Sequence, residues 1–211
     1  KNEHNIFGKI VKEDFEAIVS ISTCSFDIFV TETIATLVNG LRVVLADEQA
    51  CRNQYALNRL LTREKGEFLQ TTPTKLKALT KEPNQREFLK NVKAILLGGE
   101  AMEQSYLDEL KELTEAKIYN IYGVTEVPIW SMFADTDTFE DEVTVGKPIA
   151  NTQVYILDKY LGEMSVATHQ RHKRPCHFFL LLTRLAESYS RIHKPRPLGF
   201  HRVVLIGCAH H

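Results

Sequence analysis

Short apolar, β-branched runs recur along this chain, each followed by a stretch with helical periodicity. That alternation restricts the fold more than any other feature. Residues 17–22 (AIVSIS), 42–46 (RVVLA), 67–71 (EFLQT), 93–97 (KAILL), 117–122 (KIYNIY) and 153–157 (QVYIL) read as strands. Residues 27–39 (DIFVTETIATLVN) read as a helix, with Phe29, Thr33, Ile34, Leu37 and Val38 near one face, closed by Gly40. Residues 54–65 form a second helix, ended by Gly66, and Pro73 opens a short third at a permitted first-turn position. Residues 104–113 form a fourth, with Tyr106, Leu107 and Leu110 on its inner side. Parallel strands need crossover connections, so this spacing predicts an α/β fold: a layered, mostly parallel sheet with flanking helices. In such sheets ligands bind beyond the carboxyl ends of the strands. Residues 23–27, 98–100 and 122–126 each follow a strand and are the loops to inspect for chemistry.

The chain has 211 residues and a net charge of −1, which gives no global case for nucleic-acid or membrane partners. The near-neutral total conceals two different parts. Residues 1–160 carry 18 basic and 25 acidic side chains, whereas residues 161–211 carry 8 basic and 2 acidic ones and seven of the eight histidines. We therefore expect two regions, 1–160 and an atypical basic, His-rich tail, 161–211. Cys24, Cys51, Cys176 and Cys208 are too widely spaced for a CxxC motif or a disulfide scaffold. The start, KNEHNIFGKI, lacks the apolar stretch of a signal peptide, and no apolar run approaches a membrane span. A reducing cytoplasm is the expected setting.

These loops carry polar, aromatic and glycine residues, each with a functional and a purely structural reading. Asp27 offers a fixed carboxylate, and it also stands where a helix N-cap would accept an N–H. Gly98-Gly99 allows backbone to approach a flat ring with no Cβ between, or serves only as a strand-to-helix turn. No Gly-Lys-Ser/Thr follows, so this is not a Walker loop. Tyr122, Thr125 and Glu126 supply an aromatic face, a hydroxyl and a carboxylate within one turn. They also suit a strand-end core tyrosine, a turn-capping threonine and a solvated surface glutamate.

Four stretches, in order, carry a resemblance. They are Ser25-Phe26-Asp27-Ile28-Phe29, Leu96-Leu97-Gly98-Gly99-Glu100-Ala101, Asn120-Ile121-Tyr122-Gly123-Val124-Thr125-Glu126, and Val145-Gly146-Lys147-Pro148-Ile149 with Asn151-Thr152-Gln153-Val154-Tyr155. In order and spacing they resemble the amino-acid adenylation domains of nonribosomal peptide synthetases, within the adenylate-forming superfamily, over roughly residues 15–160. The resemblance implies part of the large N-terminal subdomain of such an enzyme. It also implies that enzyme's reaction: a carboxylate joins the α-phosphorus of ATP, releasing pyrophosphate, and the acyl group then passes to a pantetheine thiol. The implied cofactors are ATP, Mg²⁺ and the phosphopantetheine of a partner carrier domain. The implied partners are an amino acid and the peptidyl carrier and condensation domains of the parent synthetase.

Residue by residue, the resemblance gives Asp27 the substrate ammonium. It gives Gly98, Gly99, Glu100, Asn120, Tyr122, Gly123 and Thr125 the nucleotide, with Tyr122 stacking on adenine. Thr125 and Glu126 are the catalytic pair, Thr125 reaching the α-phosphate and Glu126 holding Mg²⁺. Asp27, Ile28, Thr31, Gln70, Leu96, Gly98, Ile121, Ile129 and Trp130 line the side-chain pocket. That mostly apolar set implies a neutral side chain, with Gln70 as a hydrogen-bond partner. Val124 replaces a residue that is often Pro in the family, and Pro128 and Trp130 are unusual beyond the signature.

The family's phosphate loop has no match in residues 1–20. Its ribose-binding aspartate, hinge and C-terminal catalytic lysine have none downstream. The expectation is an internal piece of an adenylation domain that does not adenylate alone. The alternatives are a fragment of an acyl- or aryl-acid CoA ligase from the same superfamily, and a non-catalytic nucleotide-binding or interaction fragment. In the tail, His169, His172, Cys176 and His177 are metal-ligand types without a finger spacing. The basic stretch lacks an aromatic platform for RNA. The abrupt compositional change fits a segment that is not a native continuation, such as a shifted reading frame.

Overall fold

The computed structural model describes residues 15–124, 127–139, 142–149, 152–157, 178–180 and 202–208. These fall into two compact units. One comprises the residues up to Gly123 together with Met132–Lys147; the other comprises Val124–Ser131 and the residues from Pro148 onward.

Alternation becomes architecture in the first unit. Strand β1 (Ala17–Ser20) leads to helix α1, which runs through Ile28–Val30, a π-helical turn Thr31–Ala35, and Thr36–Val38. Strand β2 (Arg42–Leu45), helices α2 (Glu48–Arg52) and α3 (Gln54–Arg63), and strand β3 (Phe68–Thr71) follow. Helix α4 (Pro73–Leu79), strand β4 (Ala94–Leu97), helix α5 (Gln104–Leu113), and strands β5 (Lys117–Val124) and β6 (Val127–Asp135) come next. With β7 (Lys147–Pro148), the strands order as β2-β1-β3-β4-β5-β6-β7. The pairings β1–β2, β1–β3, β3–β4 and β4–β5 are all parallel.

Local chemistry explains the helix starts. Asp47, Asn53 and Thr72 sit in extended backbone, and their side chains accept N–H bonds from the first turns of α2, α3 and α4. Pro73 follows its cap at the one place where a missing N–H costs nothing.

The core lies on one face of this sheet. Val19, Leu69, Ile95, Leu97 and Ile118 pack there with Leu57 and Leu61 of α3, Leu76 and Leu79 of α4, and Leu107 and Leu110 of α5. On the opposite face are Ile18, Ser20, Phe68, Gln70, Leu96 and Ile121, all buried. Helix handedness accounts for the division. The crossover from β1 to β2 runs against the direction of those from β2 to β3 and from β3 to β4, and right-handed crossovers then put α1 on the face opposite to α3, α4 and α5.

Helix α1 corrects the expected amphipathic pattern. Thr31, Glu32 and Thr36 are its buried residues, whereas Leu37 is 62% and Val38 80% exposed, and Val30 and Ile34 are exposed too. The physical cause is a polar staple. Glu32, 1% exposed, accepts hydrogen bonds at Oε2 from Ser20 Oγ (3.0 Å), Ile21 N (3.1 Å) and Ser22 N (3.0 Å), and at Oε1 from Ser22 Oγ (2.9 Å). The wide π turn brings the adjacent Thr31 and Glu32 to the sheet together, and Thr36 Oγ1 satisfies the carbonyls of both at 3.0 Å. Burial pushes the Glu32 carboxyl above its usual value, against the lowering influence of the Ser22, Ser20 and Ile21 donors.

The N-terminal edge of the sheet is tied by Glu67. Its carboxylate accepts from the backbone N–H groups of Glu16 and Ala17 and meets Lys93 Nζ at 2.7 Å. In the second unit β8 (Thr152–Leu157) pairs parallel with β10 (Arg202–Cys208), which pairs antiparallel with β9 (Phe178–Leu180). The strand expected at 153–157 is thus β8. The histidine and cysteine candidates at 169–177 lie outside the described residues. Among the described residues no helix is long and apolar enough to cross a membrane.

Two outcomes test this packing. Ile95→Ala is expected to cost about 3 kcal/mol of unfolding free energy by denaturant titration, and Leu37→Ala less than about 0.5 kcal/mol. Equal costs would put α1 the other way round. Glu32 binds its proton more tightly folded than unfolded. Its contribution is therefore full below the ordinary carboxylate value of 4.5 and is lost as pH rises through the raised folded value. Moving from about pH 4 to pH 7 is expected to shift stability against wild type relative to Glu32→Gln; a shift in the other direction would contradict the assignment.

Candidate functional site

The reversal of crossover direction falls between β1 and β3, where neighbouring strands send their connections to opposite faces. Such a switch point leaves a crevice at the carboxyl end of an open α/β sheet. The loops after β1, β3 and β4, together with the end of β5, lie at this end of the sheet and carry Asp27, Gly98, Gly99, Glu100 and residues 120–123.

Asp27 stands in αR backbone just before α1, is exposed, and makes no side-chain capping hydrogen bond. The capping alternative raised by its position is therefore not how the helix begins. The turn before it is held internally: Phe26 N–H donates to Thr23 O (3.0 Å), and Thr23 Oγ1 lies 2.7 Å from Ser25 Oγ. Ile28, half-buried, opens the helix, and its carbonyl accepts from Thr31 Oγ1 at 2.7 Å.

Sheet register brings the pocket candidates into line. Ile18 pairs with Phe68, Gln70 with Leu96, and Leu96 with Tyr119. Extending that register by two residues sets Ser20 level with Gln70 and Gly98 level with Ile121. Gln70, Leu96, Gly98 and Ile121 consequently share the face that α1 covers through Thr31 and Glu32. Gln70 is 3% exposed, yet neither Nε2 nor Oε1 has a hydrogen-bond partner. Leaving both ends of a buried carboxamide unpaired costs on the order of 1–3 kcal/mol for each group. A Cβ at Gly98 would lie 2.5 Å from Ile121 Cγ1 and 2.7 Å from its carbonyl oxygen, so the two strands approach here as only glycine permits.

Gly99 adopts φ +78°, a left-handed conformation that favours glycine. Glu100 turns back from this loop. Its Oε2 accepts from Thr74 N at 3.1 Å, and hydrogen bonding to Thr74 holds its carboxyl below the usual range. The carboxylate thus joins the β4 exit to the first turn of α4, where negative charge also suits the helix dipole. Asn120 is buried, and its Nδ2 donates to Thr144 O at 2.7 Å, tying β5 to the segment before β7. Tyr122 and Gly123 are half-buried at the end of β5. Thr125 and Glu126 lie outside the described residues.

Ile129 and Trp130 belong to the second unit. Ile129 takes φ +66°, a strained conformation for a β-branched residue that costs about 1–3 kcal/mol. Trp130 is buried with its Nε1 unpartnered, as is Ser131 Oγ beside it. Among the described residues no group of three or more His, Cys, Asp or Glu side chains is placed to hold a metal. Cys24 and Cys51 are free thiols.

Sequence reasoning passed over Glu32 and its donors Ser20 and Ser22. A carboxylate among the apolar residues of a predicted helix was the available signal. Helical periodicity, however, places it with the solvated positions.

The comparisons agree with this geometry. A family model described as AMP-binding enzyme matches residues 4–169. The chain is 35% identical over 148 residues to a dimodular nonribosomal peptide synthase of Bacillus subtilis (strain 168), covering 69% of this chain and 6% of that protein. Surfactin synthase subunit 1 of the same organism is 29% identical over 148 residues, covering 68% of this chain and 4% of that protein. Among solved structures, a holo four-domain nonribosomal peptide synthetase bound to AMP and glycine superposes with a TM-score of 0.60 at 28% identity, covering 70% of this chain and 11% of that one. The N-terminal subdomain of Klebsiella oxytoca NpsA, with a TM-score of 0.57 at 18% identity, shares the fold; the match covers 71% of this chain and 37% of that subdomain. The sequence thus spans only a small part of the length of its curated relatives. The chain belongs to the AMP-binding enzyme family and is similar to part of the nonribosomal peptide synthetases.

Proposed function

We propose that the β1–β3 crevice is the amino-acid half of an adenylation site, acting in a protein that activates a small neutral amino acid with ATP. The observation that carries this is the alignment of Gln70, Leu96, Gly98 and Ile121 on one sheet face, beneath the helix that Asp27 introduces and that carries the buried Thr31. Asp27 would pair with the substrate ammonium. That contact separates an amino acid from a fatty or aryl acid, because only the former carries a positive charge next to its carboxylate.

Size selection follows from packing. Leu96, Gln70, Ile121 and Thr31 are all buried, and Ile121 occupies the space over Gly98. This close packing suits a small substrate, in keeping with the glycine bound in the 28%-identical synthetase. The unpaired carboxamide of Gln70 retains capacity for one polar group of the ligand.

Gly98 and Gly99 suit close approach of the adenine ring, with Tyr122 and Gly123 at the adjoining strand end. Bound ATP would supply the leaving pyrophosphate. The residues of this chain would hold the amino acid and the base in register, a contribution from orientation. Thr125 and Glu126 would serve the α-phosphate and Mg²⁺. The acyl group would then pass to the phosphopantetheine thiol of a carrier domain, with a condensation domain further along the parent synthetase. We assign residues 1–160 to this adenylation portion, whose last strand, β8, pairs with β10 of the 161–211 segment. The free thiols of Cys24 and Cys51 suit a reducing cytoplasm.

The test is amino-acid-dependent exchange of pyrophosphate into ATP by the full-length protein. Glycine is expected to give the strongest stimulation, and Asp27→Ala to lower kcat/KM for it about 100-fold, the usual scale for truncating one partner of a desolvated charge pair. Asp27→Ala should leave AMP affinity unchanged. Activity with carboxylic acids that survives this change, with no amino-acid stimulation in wild type, would transfer the assignment to an acyl- or aryl-acid ligase.

A further inference from the structure

The buried carboxylate of Glu32 plays no part in the reaction as described above, yet it accepts four hydrogen bonds. Four neutral donors converge on it: Ser20 Oγ, Ile21 N, Ser22 N and Ser22 Oγ, at 2.9–3.1 Å. They come from the end of β1 and the first residues beyond it, and Glu32 itself lies on α1. The segment between these anchor points is the turn that ends in Asp27.

The staple therefore closes a short loop from both sides. Ser22 is fixed immediately before the turn, and Glu32 is fixed just over one helical turn after Asp27. Within the loop, the Thr23–Phe26 backbone bond and the Thr23–Ser25 hydroxyl contact complete a compact turn. The π-helical turn is part of the same device. It lets Thr31 and Glu32 both face the sheet, and Thr36 Oγ1 accommodates the displaced carbonyls. π-Helical turns of this kind are retained mostly where function needs an otherwise unfavourable side-chain placement.

A residue selected only for stability would not be expected here. Burying an ionised carboxylate without a cationic partner is costly, and the donors around Glu32 are all uncharged. What a carboxylate does better than any neutral side chain is accept several N–H and O–H bonds at once, without itself requiring an acceptor.

We propose that Glu32 is a positioning residue for substrate recognition. By stapling the exit of β1 to α1, it fixes where the Asp27 carboxylate meets the substrate ammonium. The inference rests on the assignment of Asp27 made above. Glu32 does not touch the substrate; it sets the selectivity for an amine next to the carboxylate and leaves adenine recognition unaffected.

The experiment compares two probes on the full-length protein: glycyl-sulfamoyl adenosine, a stable mimic of glycyl-AMP, and its acetyl-sulfamoyl counterpart, which lacks only the amine. Glycine carries only hydrogen as its side chain, so side-chain fit does not enter. Binding is measured by calorimetry for wild type, Glu32→Gln and Ser22→Ala, with hydrogen exchange at the Ile21 and Ser22 amides followed in parallel. Wild type is expected to prefer the glycyl probe at least tenfold. In Glu32→Gln that preference is expected to fall to within threefold of parity, while affinity for the acetyl probe changes less than threefold and the two amides exchange at least tenfold faster. Ser22→Ala, which removes a single hydroxyl donor and guards against a misfolded Glu32→Gln, is expected to lose about threefold of the preference. A merely structural role would weaken both probes alike.

If wild type shows no preference for the amine, the Asp27 assignment fails and this inference falls with it. If wild type shows the preference but Glu32→Gln keeps it in full, the staple is overturned while the Asp27 assignment stands. Should Glu32→Gln not fold, an undiminished preference in Ser22→Ala overturns the staple equally.

Discussion

Parallel pairing of β1 with β3, flanked by crossovers that depart in opposite directions, is the constraint on which the rest of the first unit depends. Parallel strands cannot be joined by tight turns, so each connection must cross a face of the sheet. The reversal at β1 sends α1 to one face and leaves α3, α4 and α5 to build the main core on the other. It also gathers the strand exits at one edge and opens a crevice between two of them. The opposite edge is closed by Glu67, which binds the entry to β1 and the side chain of Lys93. One edge is thus locked by an ion pair, whereas the other carries Gly98 and Gly99 and, one residue short of the end of β3, the unpaired carboxamide of Gln70.

Strands β1, β3 and β4 were legible because they are buried on both faces. The burial of Ala17–Ser20, Phe68–Thr71 and Ala94–Leu97 is unbroken along each strand, and such strands appear in sequence as continuous apolar runs. Helix α1 was legible as a helix but not in its orientation. Periodicity assigns Ile34, Leu37 and Val38 to the interior, and it cannot register that Glu32 finds four donors on a strand twelve residues earlier and in the loop after it. Strand β6 was missed for a local reason. It carries Pro128 near its start, and a proline weakens a strand signal in the sequence.

The candidate site was legible to a different degree in its two halves. Asp27, Gly98, Gly99 and the Asn120–Gly123 segment stand at strand exits, where an α/β alternation alone directs attention. Gln70, Leu96 and Ile121 were named through family resemblance, and their common cause appears only in the sheet register, which sets them along one face. The roles of Glu100 and Asn120 as ties between neighbouring segments were not legible, because both depend on partners distant in sequence, Thr74 and Thr144.

The central claim, that the carboxyl edge around β1, β3, β4 and β5 receives an aminoacyl adenylate, is tested most directly by mapping backbone amide shifts of the protein on titration with AMP and glycine together. The account expects perturbation at residues 21–27, 71–72, 98–100 and 121–123, with Glu16, Glu67, Lys93 and Lys117 at the opposite edge unmoved. Shifts centred on that opposite edge, or saturable binding that leaves the strand exits unchanged, would contradict it.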